Sequence, residues 1–258
     1  MSNRTMPNIF ITGAASGIGA ATARLFAARG WRVGLADRDV ETLERLGHDL
    51  GSNAMVLPLD VLDPATVESA LATFVGPENK LAALFNSAGL LDMRPFAETP
   101  LERLHAILDV NIKGVVNSIA AATPYLKAHG HAAIVTMSSA AAIYGVPDLA
   151  VYSASKFAIR GLTEALNIEF EKAGVRVSDV MVGYVDTPIL SKAETTAKSV
   201  ALSGVNVTAD KVAETVWRAV SGQQVHWFVR EEDRAAADHF DATPRELRHE
   251  LIRPATGY

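Results

Sequence analysis

With 258 residues, 49% of them hydrophobic and 21% charged, the chain has the composition of a globular protein that can bury a sizeable core. Its 24 basic and 29 acidic residues leave a net charge of −5, which argues against a protein that lives on nucleic acid or on an anionic membrane. Cysteine is absent, which excludes a disulfide framework and any thiolate metal site. Residues 1–8 are polar rather than signal-peptide-like, and no run of about 18 apolar residues occurs, so a soluble, cytoplasmic protein is expected. No Pro/Gly/Ser-rich linker interrupts the pattern, and residues 1–258 read as one domain.

Short β-rich runs at 8–12, 31–36, 54–59, 81–86, 132–137, 175–182 and 225–229 alternate with segments of helical period. Seven strands with helices between them predict an α/β domain with a doubly wound parallel sheet and helices on both faces. The runs at 54–59, 81–86 and 132–137 are nearly all apolar, as strands covered on both faces are. Thr99-Pro100-Leu101-Glu102 and Thr243-Pro244-Arg245-Glu246 read as capping boxes with proline at the first helical position.

The chemistry follows the same order. Thr12-Gly13-Ala14-Ala15-Ser16-Gly17-Ile18-Gly19 lies between the first strand and a helix, where backbone N–H groups and the helix N-terminus can face a pyrophosphate. Gly19 is followed by Ala20 and Ala21, without the Lys-Ser/Thr of a P-loop, which argues against nucleotide hydrolysis. Asp37 ends the second strand, where a carboxylate can accept from an adenosine ribose, and Arg38 beside it offers a partner for a 2′-phosphate. Asn86-Ser87-Ala88-Gly89 closes the fourth strand, Asn111 lies inside a predicted helix, and Ser139 follows the fifth strand. Tyr152 and Lys156 stand one helical turn apart on one face. Ligands of open α/β sheets bind at the carboxyl ends of the strands, which is where these residues gather.

This set of motifs resembles the single-domain branch of the short-chain dehydrogenase/reductase family over roughly residues 8–230. Its glycine turn matches Gly13, Gly17 and Gly19, its adenine-contacting Asp-Val matches Asp60-Val61, and its Asn-Asn-Ala-Gly matches Asn86-Ser87-Ala88-Gly89. The catalytic Asn, Ser, Tyr and Lys of the family match Asn111, Ser139, Tyr152 and Lys156. Val182-Gly183-Tyr184-Val185-Asp186-Thr187 keeps the threonine that holds the nicotinamide carboxamide but lacks the usual proline before the glycine. The resemblance implies a Rossmann-type fold and a bound nicotinamide dinucleotide. NAD is expected because of Asp37, with NADP as the alternative. Ser16, Ile18, Ala88, Gly89, Gly183, Val185 and Thr187, with Tyr152 and Lys156, would join the glycines around it.

A free phenol titrates near 10, too high for a base at neutral pH, so the Lys156 ammonium and a nicotinamide cation are expected to favour the Tyr152 phenolate. Ser139 would hydrogen-bond the substrate oxygen as charge develops on it. By resemblance, Lys156 also holds the nicotinamide ribose, and Asn111 binds a water leading to solvent; a structural asparagine in a kinked helix is the plainer reading. Ala141, Val146, Leu149, Tyr184, Ile189 and Leu190 are expected to form an apolar wall for a bulky alcohol or ketone, under a helical lid at 188–207. Lys192 and Lys198 in that lid read as surface residues, and no metal site is expected. Residues 231–258 form a charged tail in place of the family's tetramer signature. A homodimer or homotetramer is expected by resemblance. A cofactor-retaining epimerase or dehydratase and a non-catalytic dinucleotide sensor are the alternatives.

Overall fold

The computed structural model describes residues 6–191, 193 and 195–258. Each apolar run becomes a strand, displaced at its ends by at most a residue or two. The first half comprises β1 (Asn8–Thr12), α1 (Gly17–Ala28), β2 (Arg32–Asp37), α2 (Val40–Leu50), β3 (Ala54–Pro58), α3 (Pro64–Val75) and β4 (Ala83–Asn86). Then come α4 (Leu101–Leu108), a π-helical turn (Asp109–Gly114), α5 (Val115–His129), β5 (Ala132–Met137), α6 (Ala150–Glu169) and β6 (Val175–Met181). Beyond β6 lie β7 (Val185–Asp186), α7 (Pro188–Ser191), α8 (Lys198–Ser203), β8 (Val207–Thr208), α9 (Ala209–Ser221), β9 (His226–Phe228), α10 (Glu231–Ala242) and α11 (Arg248–Thr256).

The main sheet has seven strands in the order β3-β2-β1-β4-β5-β6-β9, all parallel. This is the doubly wound Rossmann-type topology, and its order reverses between β1 and β4, where the loops leaving the two strands part to open a crevice. Successive side chains of a strand face opposite sides, so Ile9, Ile11, Val33, Leu35 and Phe85 pack toward α1, α2 and α9. Phe10, Leu84, Ile134 and Val177 pack toward α3, α5 and α6. Phe10 and Phe74 meet edge to face with centroids 5.8 Å apart, each fully buried and stabilising by roughly 1.5–3 kcal/mol.

β4 and β5 are buried throughout, as their apolar runs predict, but β3 is largely half-buried because it forms the sheet edge. Neither expected capping box forms. Thr99 Oγ1 donates to the carbonyl of Pro95 at 3.0 Å, Thr243 Oγ1 to that of His239 at 2.8 Å, and each threonine serves the turn before it. α4 then starts after Pro100, and a 3₁₀ turn (Arg245–Leu247) precedes α11. A side-chain cap next to proline does occur at Asp63, which accepts from Ala65 and Thr66 N–H ahead of α3.

Candidate active site

At the crevice, the turn after β1 depends on absent side chains. Gly13 has φ +69° and Gly17 φ +53°, values that favour glycine. A Cβ on Gly13 would lie 2.6 Å from Ala88 N, and one on Gly17 would lie 3.3 Å from Thr187 Cβ. The turn thus lies directly against the β4 loop and the segment after β7. Ser16 precedes α1 without capping it through its side chain, so its hydroxyl and the first N–H groups, Ile18 among them, offer donors suited to an anion.

Asp37 is fixed to this turn. Its Oδ2 accepts from Ala15 N at 3.1 Å and its Oδ1 from Asp39 N at 3.0 Å, while each oxygen keeps lone-pair capacity for a further donor. Arg38 beside it is exposed. Asp60 is exposed, with Oδ1 accepting from Leu62 N at 2.9 Å, and Val61 is buried against Gly114. Asn86 is also buried. Its amide donates to Thr136 Oγ1 at 3.1 Å, joining β4 to β5, and its Oδ1 has no partner among the described residues. Thr12 Oγ1 accepts from the N–H groups of Ser87 and Ala88 at 3.3 and 3.4 Å, closing the floor beneath Gly89. On the far bank, Val185 and Thr187 are buried, Gly183 is half-buried, and Thr187 Oγ1 donates to Val185 O at 3.2 Å. A cradle with no room for Cβ atoms and an anchored carboxylate at the strand end fits a dinucleotide.

Ser139, Tyr152 and Lys156 converge beside this crevice. The Tyr152 phenol lies near Ser139, whose Oγ accepts from Ala141 N at 3.1 Å and donates to Val182 O at 3.5 Å. Lys156 is buried on the same face of α6, with Nζ 5.4 Å from the Tyr152 ring centroid and donating to Met137 O at 2.8 Å. Burial pushes the phenol up to about 12, although the Ser139 hydroxyl near it works in the other direction and Tyr184 adds to the rise. Burial also pulls the lysine down to about 8, against the opposing charge of Asp179. Among the protein's own groups desolvation thus outweighs Ser139, and the Lys156 ammonium is engaged by a carbonyl.

Asn111 sits in the π-helical turn between α4 and α5 and is buried. Its Oδ1 accepts from Leu90 N at 2.7 Å, and its Nδ2 donates to Leu90 O and Ser155 Oγ, both at 3.0 Å. The side chain joins the β4 loop to α6, the geometry of the plainer reading.

Ala141, Val146, Leu149, Tyr184 and Leu190 gather with Tyr152 in one apolar cluster, as expected, but Ile189 is 44% exposed and lies outside it. α7 has a single turn and turns Leu190, not its neighbour, toward the cluster. Met93, Ala197, Tyr144 and Val200 complete the wall; they come from loops and the lid, without a period by which to find them in the sequence. Lys192 lies outside the described residues, as does residue 194 of the expected lid, whereas Lys198 is described on α8.

Behind Lys156 lies Asp179, fully buried on β6. Its Oδ1 is 2.8 Å from His226 Nδ1, and His226 Nε2 is 3.1 Å from Glu164 Oε1 on α6. Burial raises the Asp179 pKa despite that partner. It also opposes charge on His226, but the Asp179 hydrogen bond and charge outweigh it and raise the imidazole above its usual value. A lone acid within the apolar run 175–182 was the available signal. Among the described residues, no cluster of three or more His, Cys, Asp or Glu could hold a metal, and no helix is long and apolar enough to cross a membrane.

Comparison with known proteins agrees with this geometry. The chain is 32% identical over 199 residues to a cyclohexanol dehydrogenase from an Acinetobacter species, covering 75% of this chain and 79% of the relative. A short chain dehydrogenase from Burkholderia cenocepacia, solved with NADP, superposes with a TM-score of 0.82 at 26% identity, covering 96% of this chain and 97% of that one. A short chain dehydrogenase/reductase from Burkholderia phymatum, solved with NAD, gives 0.81 at 25% identity, covering 98% and 96%. A sequence model described as short chain dehydrogenase matches residues 7–198, and the chain belongs to that family.

Proposed function

We propose that this chain is an NAD(H)-dependent oxidoreductase interconverting a secondary alcohol and a ketone whose substituents are largely apolar. The observation that carries this reading is the convergence of Ser139, Tyr152 and Lys156 between an apolar wall and a glycine cradle. A bound nicotinamide would accept or donate the hydride. Tyr152 gives its proton to a ketone oxygen; in the oxidative direction the phenol first loses its proton to solvent, which the positive charges of Lys156 and of a bound oxidised nicotinamide would favour, and the phenolate then takes the alcohol proton. Ser139 donates to the oxygen on which charge develops. Lys156 carries positive charge beside the phenol and the ribose, and Asn111 acts as a positioning residue between the β4 loop and α6.

Asp37 favours NAD, since the 2′-phosphate of NADP would meet a like charge there. Exposed Arg38 and the NADP-bound Burkholderia cenocepacia relative support the NADP reading as second choice. A second copy of this chain fits the exposed Val116 on α5 and Phe157 on α6, and light scattering of the Val116→Glu/Phe157→Glu variant tests that dimer.

The test of activity is stoichiometric formation of NADH from NAD with cyclohexanol and bulkier secondary alcohols. Turnover without released NADH would favour an epimerase or dehydratase. Binding of NAD without turnover on any alcohol or ketone would leave a sensor.

A further inference from the structure

The apolar wall has two banks. One is the loop carrying Val146 and Leu149 into α6; the other is the lid, which contributes Leu190, Ala197 and Val200. Thr195 Oγ1 ties the lid to Met93 O at 3.1 Å, and Ser199 Oγ lies 2.6 Å from Tyr184 Oη. A third connection comes from farther along the chain. Gly257, at φ +78°, ends α11 with paired reverse bonds from Gly257 N to Pro254 O and from Tyr258 N to Arg253 O at 3.4 and 3.0 Å. This turn aims the following side chain back across the lid.

There Tyr258 meets both banks. Its ring lies under Lys198 of α8, with Nζ 3.8 Å from the centroid, and its Oη donates to Asp148 Oδ1 at 2.5 Å. Asp148 holds φ +65°, uncommon for a residue with a side chain, immediately before Leu149. α11 is seated closely: Thr256 is buried, and a Cβ on Gly257 would come 3.2 Å from Lys198 Cβ. Residue 258 lies beyond residues 7–198, the stretch that the family's sequence pattern matches.

We propose that Tyr258 is a positioning residue that fastens the α8 bank of the lid to the Asp148 loop and thereby fixes the width of the substrate wall. The effect on substrate choice rests on the alcohol/ketone reading above; the fastening does not. With the bridge intact, Val200 and Ala197 stand at a set distance from Leu149, so compact substrates are well enclosed and bulkier ones must open the lid.

The test uses the full chain and two independent readouts. Hydrogen exchange of residues 198–203 is compared in wild type, Tyr258→Phe, Asp148→Asn and the double variant, and kcat and KM are measured for cyclohexanol and progressively bulkier alcohols. Exchange in Tyr258→Phe should rise about fivefold, the factor expected of one hydrogen bond near water, with no further rise in the double variant. KM for the compact alcohol should rise more than kcat falls, and the kcat/KM ratio of bulky to compact substrates should shift about threefold or more toward bulky. Lys198→Arg should retain wild-type values, because it keeps a cation over the ring. Unchanged exchange in Tyr258→Phe overturns the fastening, and faster exchange with an unchanged substrate ratio overturns its role in selection. Faster exchange in a protein whose wild type turns over no alcohol upholds the fastening and rejects the activity.

Discussion

A Cβ on Gly19 would lie 2.1 Å from the carbonyl oxygen of Gly13, so the first turn of α1 and the start of the glycine turn share one volume. The obstacle is backbone and cannot swing aside as a side chain would. Gly19→Ala should therefore destabilise the fold by about 2 kcal/mol or more, the upper part of the range for overpacking, and weaken dinucleotide binding further. Urea denaturation and cofactor titration read the two effects. A variant of wild-type stability would show that the turn relaxes more easily than this geometry allows.

Catalysis should divide by residue. Tyr152→Phe should bind dinucleotide nearly normally and lose about two to four orders of magnitude in kcat, the range of a general acid or base. Ser139→Ala should reduce kcat with little change in cofactor affinity, having lost both the donor to substrate and the hydroxyl that lowers the Tyr152 pKa. Lys156→Ala should damage both, and it strips the Met137 carbonyl of its donor. Half-normal turnover in Tyr152→Phe would remove the phenol from the mechanism.

Cofactor choice turns on Asp37. The Asp37→Ala variant should shift kcat/KM toward NADP(H), since the like charge is gone while Arg38 remains. It should also lose some stability, because the N–H groups of Ala15 and Asp39 lose their acceptor. Kinetics with both dinucleotides on wild type and variant decide the matter. A wild-type preference for NADP(H) would reverse the assignment.

The Asp179–His226 pair predicts how stability responds to pH. His226, raised above 6.5 by its partner, contributes stability that is complete below its unfolded value and lost as pH climbs through the folded one. Asp179, raised above 3.8 by burial, favours its protonated form in the fold, so its cost also grows with rising pH. The Asp179 cost therefore grows upward from about pH 3.8, and the His226 contribution falls above about pH 6.5. The melting temperature should drop as pH rises above about 6.5 in wild type and drop less in His226→Gln, which no longer titrates. Parallel curves would show that other groups set the slope.

The strands and the crevice residues were legible because each follows from a local rule: an apolar run, a glycine where a side chain cannot fit, a polar residue at a strand end. What escaped depends on contacts between distant segments. Asp179 and His226 are 47 positions apart and meet because β6 and β9 are neighbours. Thr99 and Thr243 carry the letters of a capping box, but the hydroxyl's choice between donating backward and accepting forward is made by the preceding turn. Ile189 and Leu190 are equally apolar, and only the orientation of α7 separates them.

The short strands β7 and β8 pair in parallel, Val185 with Val207 and Asp186 with Thr208. The chain therefore leaves the body of the domain and re-enters it at almost the same point, with both valines held in the core. Everything between is a detour. Lengthening a closed excursion costs little, about 0.6 kcal/mol for each doubling, so this stretch can be rewritten or exchanged between relatives while the chemistry below stays in register. Such a layout lets the reaction be inherited and the substrate be changed by separate mutations.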